Sequence, residues 1–365
     1  MPEITKIVIT GGPCAGKSTA MSWIQNFFGK QGIRVLFISE TATDLITGGV
    51  APWTCSKNVE YQEYHLKLQL LKEDIYYKAA SNLKDERILI VCDRGLLDPK
   101  AYMNEFEFKQ ALEDLNTNEI ELRDNYDAVF HLVTAAKGAA EFYTLENNAA
   151  RKETLEEARE LDDKLIAAWT GHPHFRVIDN SKNFEEKMKK LLSEISSIFG
   201  TSKPYEIERK FLIKYPDLDY LTSLPNCKRV QIIQTYLNLS DEGSEEVRVR
   251  KRGINGNYIY FKTTKRKISD IKRVEVEKRL TKEEYYEILG STKDKYQVIK
   301  DRYCLCYENQ YFEIDVYPFW NDKACIELEL DDENQEIKFP PFIEVIKEVT
   351  GDKEYSNSKL ATKIR

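Results

Sequence analysis

The hydrophobic pattern of this chain changes its period near Pro204, and that change limits the possible folds more than any other feature. Before Pro204, short β-rich runs alternate with helical stretches, whereas after it apolar residues recur at every second position in runs too short for helices. The segment 198–204 ends a helix at Gly200 and excludes its continuation at the proline. At 365 residues the chain is long enough for two cores. The pattern therefore predicts two domains, residues 1–199 and residues 204–365.

The front half contains a phosphate-binding motif directly after its first predicted strand. Residues 11–19 fit the P-loop pattern, with a strand before them and a helix after them. The N–H groups of such a loop surround phosphates, Lys17 reaches the terminal phosphates, and the Ser18 hydroxyl suits Mg²⁺. The predicted ATP site comprises Gly11, Gly12, Pro13, Cys14, Ala15, Gly16, Lys17, Ser18 and Thr19.

Strands and helices alternate through the rest of the front half. Helical patterns cover residues 17–31, 58–83, 151–169 and 184–198, and strand patterns cover residues 34–40, 88–92, 128–134 and 175–179. This alternation predicts an α/β fold with a doubly wound parallel sheet. Its ligands are expected at the carboxyl ends of the strands.

Charged residues at those strand ends are the catalytic candidates of the front half. Glu40 ends the second strand and Asp93 ends the third, so one can accept a hydroxyl proton and the other can hold Mg²⁺ through water. Arg94 follows Asp93 and is a candidate with it. Arg151 and Arg159 lie where small P-loop kinases carry a lid, and an arginine there neutralises charge on the transferring phosphoryl group. A solvated helix face explains these two arginines equally well.

The front half resembles nucleoside-kinase-like and nicotinamide-riboside-kinase-like P-loop proteins. The resemblance rests on Asp-Arg-Gly after a strand, on Glu40 after the previous strand, and on Gln62 and Gln69 between them. It implies a kinase-like domain that binds ATP. An ATPase or a nucleotide sensor is the alternative, and the two glutamines are otherwise expected on a helix surface.

In the back half, each predicted strand carries ionisable residues on one face and largely apolar residues on the other. An antiparallel sheet with a wet outer face shows the same alternation. However, the basic and acidic strands would be crowded by like charges on an open surface. In a barrel they form complementary walls around one ligand. Lysines and arginines inside it would bind phosphate oxygens, and the carboxylates would bind Mg²⁺ or Mn²⁺.

Six motifs of the back half resemble, in order, the CYTH domain of the triphosphate tunnel metalloenzymes. They read Glu-Ile-Glu-Arg-Lys (206–210), Val-Arg-Val-Arg (247–250), Val-Glu-Val-Glu (274–277), Ile-Asp-Val-Tyr (314–317), Ile-Glu-Leu-Glu (326–329) and Glu-Val-Thr-Gly-Asp-Lys-Glu-Tyr-Ser-Asn (348–357). The resemblance implies an eight-stranded antiparallel tunnel. The residues that would bind the triphosphate in it are Lys210, Arg248, Arg250, Lys262, Lys300 and Arg302. The metal-site candidates are Glu206, Glu208, Glu275, Glu277, Asp315, Glu327 and Glu329.

The resemblance also bounds the activity. Similar tunnels hydrolyse inorganic triphosphate, thiamine triphosphate or RNA 5′-triphosphates, and some cyclise ATP. The fused P-loop domain favours hydrolysis of small-molecule triphosphates or nucleotides by a bifunctional enzyme. A regulatory protein that senses nucleotide or polyphosphate, and adenylate-cyclase-type activity, are the alternatives.

Composition limits the expected binding partners of the protein and the cellular compartment in which it works. The net charge of −7 argues against a nucleic-acid surface. The seven cysteines show no zinc spacing and follow no signal peptide, which predicts a cytoplasmic protein. No apolar run is long enough to span a membrane, and a homo-oligomer is compatible with the sequence.

Overall fold

The structure, a computed structural model, describes two compact units. It covers residues 2–143, 154–200, 207–237, 246–267, 273–293, 295–330 and 334–364. The units are Met1–Ser202 and Lys203–Arg365, here called the front unit and the back unit. Independent folding of residues 1–199 and 204–365 stays a prediction, which separate expression of the two halves would test.

The front unit is built on a parallel sheet. Its strands are β1 (Glu3–Thr10), β2 (Arg34–Ile38), β3 (Arg87–Asp93), β4 (Ala128–Leu132) and β5 (Phe175–Ile178). In the described part of the unit they lie in the order β2-β3-β1-β4-β5, with every pairing parallel. The central strand β1 is buried from Thr5 to Thr10, as expected where helices cover both faces of a sheet. The predicted doubly wound fold is confirmed.

Helices of the front unit cover this sheet with apolar faces. They are α1 (Lys17–Gly29), α2 (Thr41–Thr47), α3 (Asn58–Ser81), α4 (Glu105–Asp114), α5 (Glu119–Arg123), α6 (Leu155–Trp169) and α7 (Phe184–Ile198), with 3₁₀ turns at Asp98–Tyr102 and Ala140–Phe142. The core includes Ile24 and Phe28 of α1 and Leu191 and Ile195 of α7, at the three- and four-residue spacing of a buried helical stripe. Helix α6 begins at a capping box in which Thr154 and Glu157 bond each other's backbone N–H groups.

The back unit is built on an antiparallel sheet. Its strands are β6 (Ile207–Lys214), β7 (Cys227–Tyr236), β8 (Glu246–Ile254), β9 (Asn257–Lys267), β10 (Arg273–Leu280), β11 (Lys295–Tyr307), β12 (Gln310–Val316), β13 (Lys323–Leu330), β14 (Val345–Glu348) and β15 (Thr362–Ile364). Among the described residues the order is β10-β9-β8-β7-β11-β12-β13-β6-β14, and β15 pairs with β11. The predicted antiparallel sheet is confirmed, although this path has nine strands instead of the expected eight.

One face of the back sheet is apolar, and short helices lie along the strands. The helices are α8 (Leu218–Ser223), α9 (Lys282–Ser291) and α10 (Asn357–Leu360), with a 3₁₀ turn at Lys353–Tyr355. Phe211, Leu305, Phe312, Ile326 and Leu328 meet in one core cluster. Their neighbours along each strand point to the opposite face, because strand side chains alternate. In the described residues of both units, no helix is long and apolar enough to cross a bilayer.

Candidate active sites

The predicted P-loop lies between the end of β1 and the start of α1. Gly16 takes a φ of 90° immediately before the helix, a left-handed conformation that favours glycine. The Lys17 ammonium donates to the carbonyl oxygens of Gly11 at 3.1 Å and Gly12 at 3.4 Å. The lysine is thus folded back onto its own loop. Burial, with the nearby Arg94, lowers the pKa of Lys17 to about 8.

Arg94 joins two acidic residues at the carboxyl ends of the strands. Its Nε lies 2.5 Å from Oε1 of Glu40 and its Nη1 lies 3.1 Å from Oδ1 of Asp98. Although burial raises the pKa of Glu40, the charges of Arg94 and Lys17 lower it to about 2. The structure therefore places Glu40 and Arg94, which follow strand ends, near Lys17 of the P-loop.

Asp93 has an unfilled acceptor in this group. Its buried Oδ1 has no hydrogen-bond partner among the described residues, and burial raises the pKa of the carboxyl. A buried oxygen without a donor costs free energy unless an ion or a water molecule meets it. A hard cation such as Mg²⁺ matches that oxygen.

Sequence reasoning missed Asp98, Trp169 and Thr41, which support this group. The Asp98 carboxylate accepts from the Gly95 N–H at 2.7 Å and the Trp169 indole N–H at 3.3 Å. The Gln69 amide donates to Glu73 at 2.8 Å, and its oxygen accepts from Thr41, next to Glu40.

The expectation that Gln62 and Gln69 lie on a helix surface is wrong. Both are buried, at 3% and 2% exposure. Their helix α3 has little difference in polarity between its faces, so periodicity could not show which side faces inward.

The two predicted lid arginines differ in what the structure shows. Arg159 donates from Nε to the Ala136 carbonyl at 2.8 Å and pairs with Glu156 at 3.2 Å. It lies on α6 and is not brought to Lys17 by any contact of the described residues. Arg151 lies outside the described residues.

The strand register of the back unit collects ionisable residues on a single face, called the charged face below. Residues that lie directly opposite each other in neighbouring strands define this face. The pairs are Glu208 with Glu329, Lys210 with Glu327, Glu327 with Glu313, Asp315 with Arg302, Arg248 with Thr263, and Thr263 with Glu277. Opposed residues of neighbouring strands point to the same side of a sheet. The charged face therefore includes Glu208, Lys210, Arg248, Arg250, Glu277, Lys300, Arg302, Glu313, Asp315, Glu327 and Glu329.

Arg302 is the hub of the charged face. Its guanidinium contacts both oxygens of Asp315 at 2.7 Å, lies 3.0 Å from Glu327 and also pairs with Glu313. Although burial lowers the pKa of Arg302, Asp315 and Glu313 raise it well above its usual value. The same contacts hold the pKa of Asp315 below its ordinary range, despite burial. Arg302 and Asp315 are thus held in their charged forms, and the contacts fix all four side chains in place.

Two lysines of the charged face are also held by the C-terminal segment. Lys300 pairs with Asp315 and donates to Oδ1 of Asn357 at 3.3 Å. Lys210 lies 2.7 Å from Glu327 and donates to the Tyr355 carbonyl at 2.7 Å. Burial and Arg302 together lower the pKa of Lys300.

A second ion pair lies towards the other edge of the sheet. Arg250 donates to Glu277 at 2.9 Å, and Thr263 donates to the same carboxylate at 2.9 Å. The register places Lys262 opposite Val249, on the face that α9 covers. Lys262 is therefore not brought together with the other predicted cations, since a strand side chain cannot reach both faces.

The predicted metal-site carboxylates fall into three groups. Glu277, Asp315 and Glu327 are each held by lysine or arginine. Glu208 and Glu329 lie at the exposed end of the charged face. Glu206 lies outside the described residues, and nothing is described of the Glu275 side chain.

Glu208 lies beside other carboxylates of the charged face. It is solvent-accessible, yet loss of hydration beside the sheet, with the charges of Glu327 and Glu313, raises its pKa to about 7. Burial also raises the pKa of Glu313. Within the described ranges no three acidic, cysteine or histidine side chains converge as a ready-made metal cage.

Comparisons with known proteins divide the chain in the same way as the structure. The model of an AAA domain matches residues 6–187, and the model of the CYTH domain matches residues 204–362. An inorganic triphosphatase of Acetivibrio thermocellus is 35% identical over 156 residues, which are 42% of this chain and 92% of that protein.

Two solved structures are similar to parts of the chain. A crystal structure of an inorganic triphosphatase is 29% identical, with 43% of this chain and 94% of that chain covered and a TM-score of 0.30. A deoxyadenosine kinase from M. mycoides with bound dATP is 17% identical, with 53% and 99% covered and a TM-score of 0.36. The family matches confirm the resemblance found in the sequence motifs: residues 6–187 match the model of an AAA domain, and the chain belongs to the CYTH-domain family through residues 204–362.

Proposed function

We propose that the back unit hydrolyses small-molecule triphosphates with a divalent metal ion, and that the front unit binds ATP. The observation that carries the proposal is the charged face, on which Lys210, Arg250, Lys300 and Arg302 share one side of the sheet with carboxylates. A linear triphosphate is a flexible chain of anionic oxygens, and a row of fixed cations matches it. The related inorganic triphosphatase supports this choice of substrate class.

The cations of the charged face are oriented before substrate arrives. Arg302 is held at three carboxylates by its Nε–H, both Nη2 N–H groups and one Nη1 N–H, so little side-chain freedom remains to be lost when the other Nη1 N–H meets a phosphate oxygen. Lys210 and Lys300 are held from two sides and would meet adjacent phosphoryl groups. Such fixed donors stabilise the charge that develops on the leaving diphosphate.

The carboxylates suit a metal ion that the substrate helps to hold. Mg²⁺ commonly takes only one or two protein carboxylates and completes its shell with water and phosphate oxygens. Glu208 fits this role because its neighbours leave it short of positive charge. When bound, the ion supplies charge neutralisation and an activated water. The chain's own residues hold the triphosphate in line for attack.

The raised pKa of Glu208 predicts a pH dependence. Between pH 4.5 and about pH 7 the folded protein holds a proton on Glu208 that the unfolded chain has already released, so the metal-free protein should lose stability as the pH rises through this interval. Metal affinity should rise over the same interval, since only the ionised carboxylate is a ligand. Thermal unfolding and Mn²⁺ titration at pH 5 to 8 measure both.

Glu208→Gln should remove both trends, and Glu308→Gln is the matched control. Glu308 is an exposed carboxylate in the β11–β12 turn, away from the charged face. If the Mn²⁺ affinity of Glu208→Gln keeps its rise with pH, Glu208 is not the titrating ligand.

For the front unit, we propose kinase-like phosphoryl transfer from ATP held with Mg²⁺ or Mn²⁺. The neighbouring Glu40 would accept the acceptor's hydroxyl proton, and Asp93 would hold the metal, directly or through water. The unfilled Oδ1 of Asp93 supports this assignment. Buried thiols such as Cys92, Cys227 and Cys325 form no disulfide, which supports a reducing compartment, and we place the protein in the cytoplasm.

Phosphate release from a panel of triphosphates tests the proposal for the back unit. Inorganic triphosphate, thiamine triphosphate, ATP and GTP are each incubated with the full chain and Mg²⁺ or Mn²⁺, with EDTA as the control. We expect metal-dependent phosphate release from at least one of them. Tight binding without release from any would favour the alternative, a sensor of triphosphates.

A further inference from the structure

A buried carboxylate of α6 contacts the P-loop from behind. Asp162 is fully buried, and its Oδ1 accepts from the Gly12 N–H at 3.0 Å and the Thr134 N–H at 3.1 Å. The same oxygen lies 3.0 Å from Nε2 of His131, and Oδ2 accepts from Lys137 at 3.0 Å. Although burial raises the pKa of Asp162, His131 and Lys137 hold it below the usual range. The loop is thus tied to an ionised group outside the phosphate site.

Asp162 occupies a position where the helix pattern calls for an apolar residue. The buried stripe of α6 contains Ala158, Leu165, Ile166 and Trp169, and Asp162 lies in line with them. A carboxylate is costly at such a place unless donors satisfy it fully. Gly12 fits tightly against it, since a Cβ added there would lie 2.8 Å from Oδ1 of Asp162.

Two residues of the first part of the loop have no free N–H group to offer a phosphate. The N–H of Gly12 is taken by Asp162, and Pro13 has no N–H. The Pro13 carbonyl accepts from the Thr134 hydroxyl, which fixes the same segment from outside. The N–H groups left for phosphate therefore lie beyond Pro13.

Lys17 holds the same segment from the inside. Its ammonium bonds the carbonyls of Gly11 and Gly12 and must leave them to reach a phosphate. When it leaves, Asp162 and Thr134 are the contacts that keep the Gly12 peptide from rotating.

We propose that Asp162 is a positioning residue for the nucleotide site: it fixes the first part of the P-loop outward, so that α6 sets the affinity for nucleotide through the remaining loop amides. This inference rests on the proposed binding of ATP by the front unit. Gly12 and Pro13 then do not donate to phosphate, and Asp162 affects nucleotide binding without touching a phosphate.

Nucleotide affinity of three variants of the full chain tests the proposal. Fluorescent mant-ATP with Mg²⁺ is the probe, and the unfolding temperature without nucleotide is recorded for each variant. Asp162→Ala should weaken binding by about tenfold or more, because the loop is no longer held in its binding geometry. Asp162→Asn should bind within about threefold of the natural protein, since its amide oxygen still accepts from Gly12.

Asp163→Asn is the matched control. Asp163 is the next residue of α6, is exposed and also pairs with Lys137, at 2.6 Å, but it does not contact the loop. It should bind like the natural protein. A folded Asp162→Ala variant with unchanged affinity would overturn the proposal, as would an Asp162→Asn variant as weak as Asp162→Ala.

Hydrogen exchange at single-amide resolution tests the same contact in the natural protein, whether or not Asp162→Ala folds. The Gly12 N–H should exchange slowly without nucleotide and keep its rate with AMP-PNP and Mg²⁺, while amides of residues 14–19 become slower. A Gly12 amide that is unprotected, or protected only by nucleotide, contradicts the proposal. If Gly12 is protected but no amide responds and mant-ATP does not bind, nucleotide binding by the front unit is what fails.

Discussion

Replacing Arg302 with Gln should reduce triphosphate hydrolysis by roughly 10²- to 10³-fold, because a fixed donor to the developing charge is lost. It should also destabilise the back unit by about 3 to 5 kcal/mol, since removal of one partner leaves buried opposite charges uncompensated. Asp315 is fully buried and would keep only Lys300, while Glu313 and Glu327 would lose their shared cation. Phosphate release and chemical denaturation measure the two effects.

Two further variants separate the effect of the Arg302 charge from that of its geometry, and the effect of the charged face from that of an ordinary surface ion pair. Arg302→Lys keeps the charge without the planar fork and should recover stability better than activity. Arg229→Gln is the control, because Arg229 pairs with Asp301 on the opposite face and is half-exposed. It should cost at most about 1 kcal/mol and leave turnover unchanged. If the Arg302→Gln protein folds and keeps full turnover, the charged face does not take part in the reaction.

Lys17→Ala should abolish useful ATP binding by the front unit while triphosphate hydrolysis by the back unit continues. Removing the charged partner of a phosphate costs about 2–5 kcal/mol, which is roughly 30-fold or more in affinity. Mant-ATP titration and phosphate release, measured on the same preparation, read the two units separately. Lys30→Ala provides the control, since Lys30 is exposed just beyond the end of α1.

The natural protein offers a second readout of Lys17. Its pKa of about 8 in the nucleotide-free protein means that the ammonium is fully charged only at lower pH. ATP affinity should therefore fall as the pH rises through 8, and Lys17→Ala should lack this fall. Equal loss of ATP binding and triphosphate hydrolysis in a folded Lys17→Ala protein would indicate one composite site.

Local spacing was enough to predict the strands and the long helices of the front unit, but not the helices α2, α4 and α5. The P-loop, the strand before Asp93 and the amphipathic helix at 184–198 all rest on short-range patterns, and α7 has those bounds. What spacing could not supply were contacts between distant elements. Asp98, in the 3₁₀ turn after β3, accepts from Thr10 at the end of β1, and Asp162 of α6 accepts from Gly12 of the loop. The carboxylate of Asp162 within an apolar stripe was a usable signal.

The two-residue alternation of a strand also has a specific limit as a predictor of site residues, and Lys262 is the example. Alternation divides a strand into two faces, but only the register with a neighbour says which face is shared. Because Arg248 opposes Thr263, the residue beside Thr263 must point the other way. Sequence reasoning grouped Lys262 with the arginines because both are cationic. Charge alone does not show on which face of the sheet a side chain lies.

The strand order of the back sheet has a consequence for how the chain acquires its fold during synthesis. Strand β6 is the earliest of this sheet in the sequence, yet it is paired on either side with β13 and β14, which are translated late. Pairings between such distant segments form slowly. Until they form, a nascent chain presents both edges of β6 to other chains, and exposed edges promote aggregation. A protein truncated before Lys323 would lack both partners of β6 and leave that strand permanently unpaired. We therefore expect chaperones to bind mainly to this half of the nascent chain.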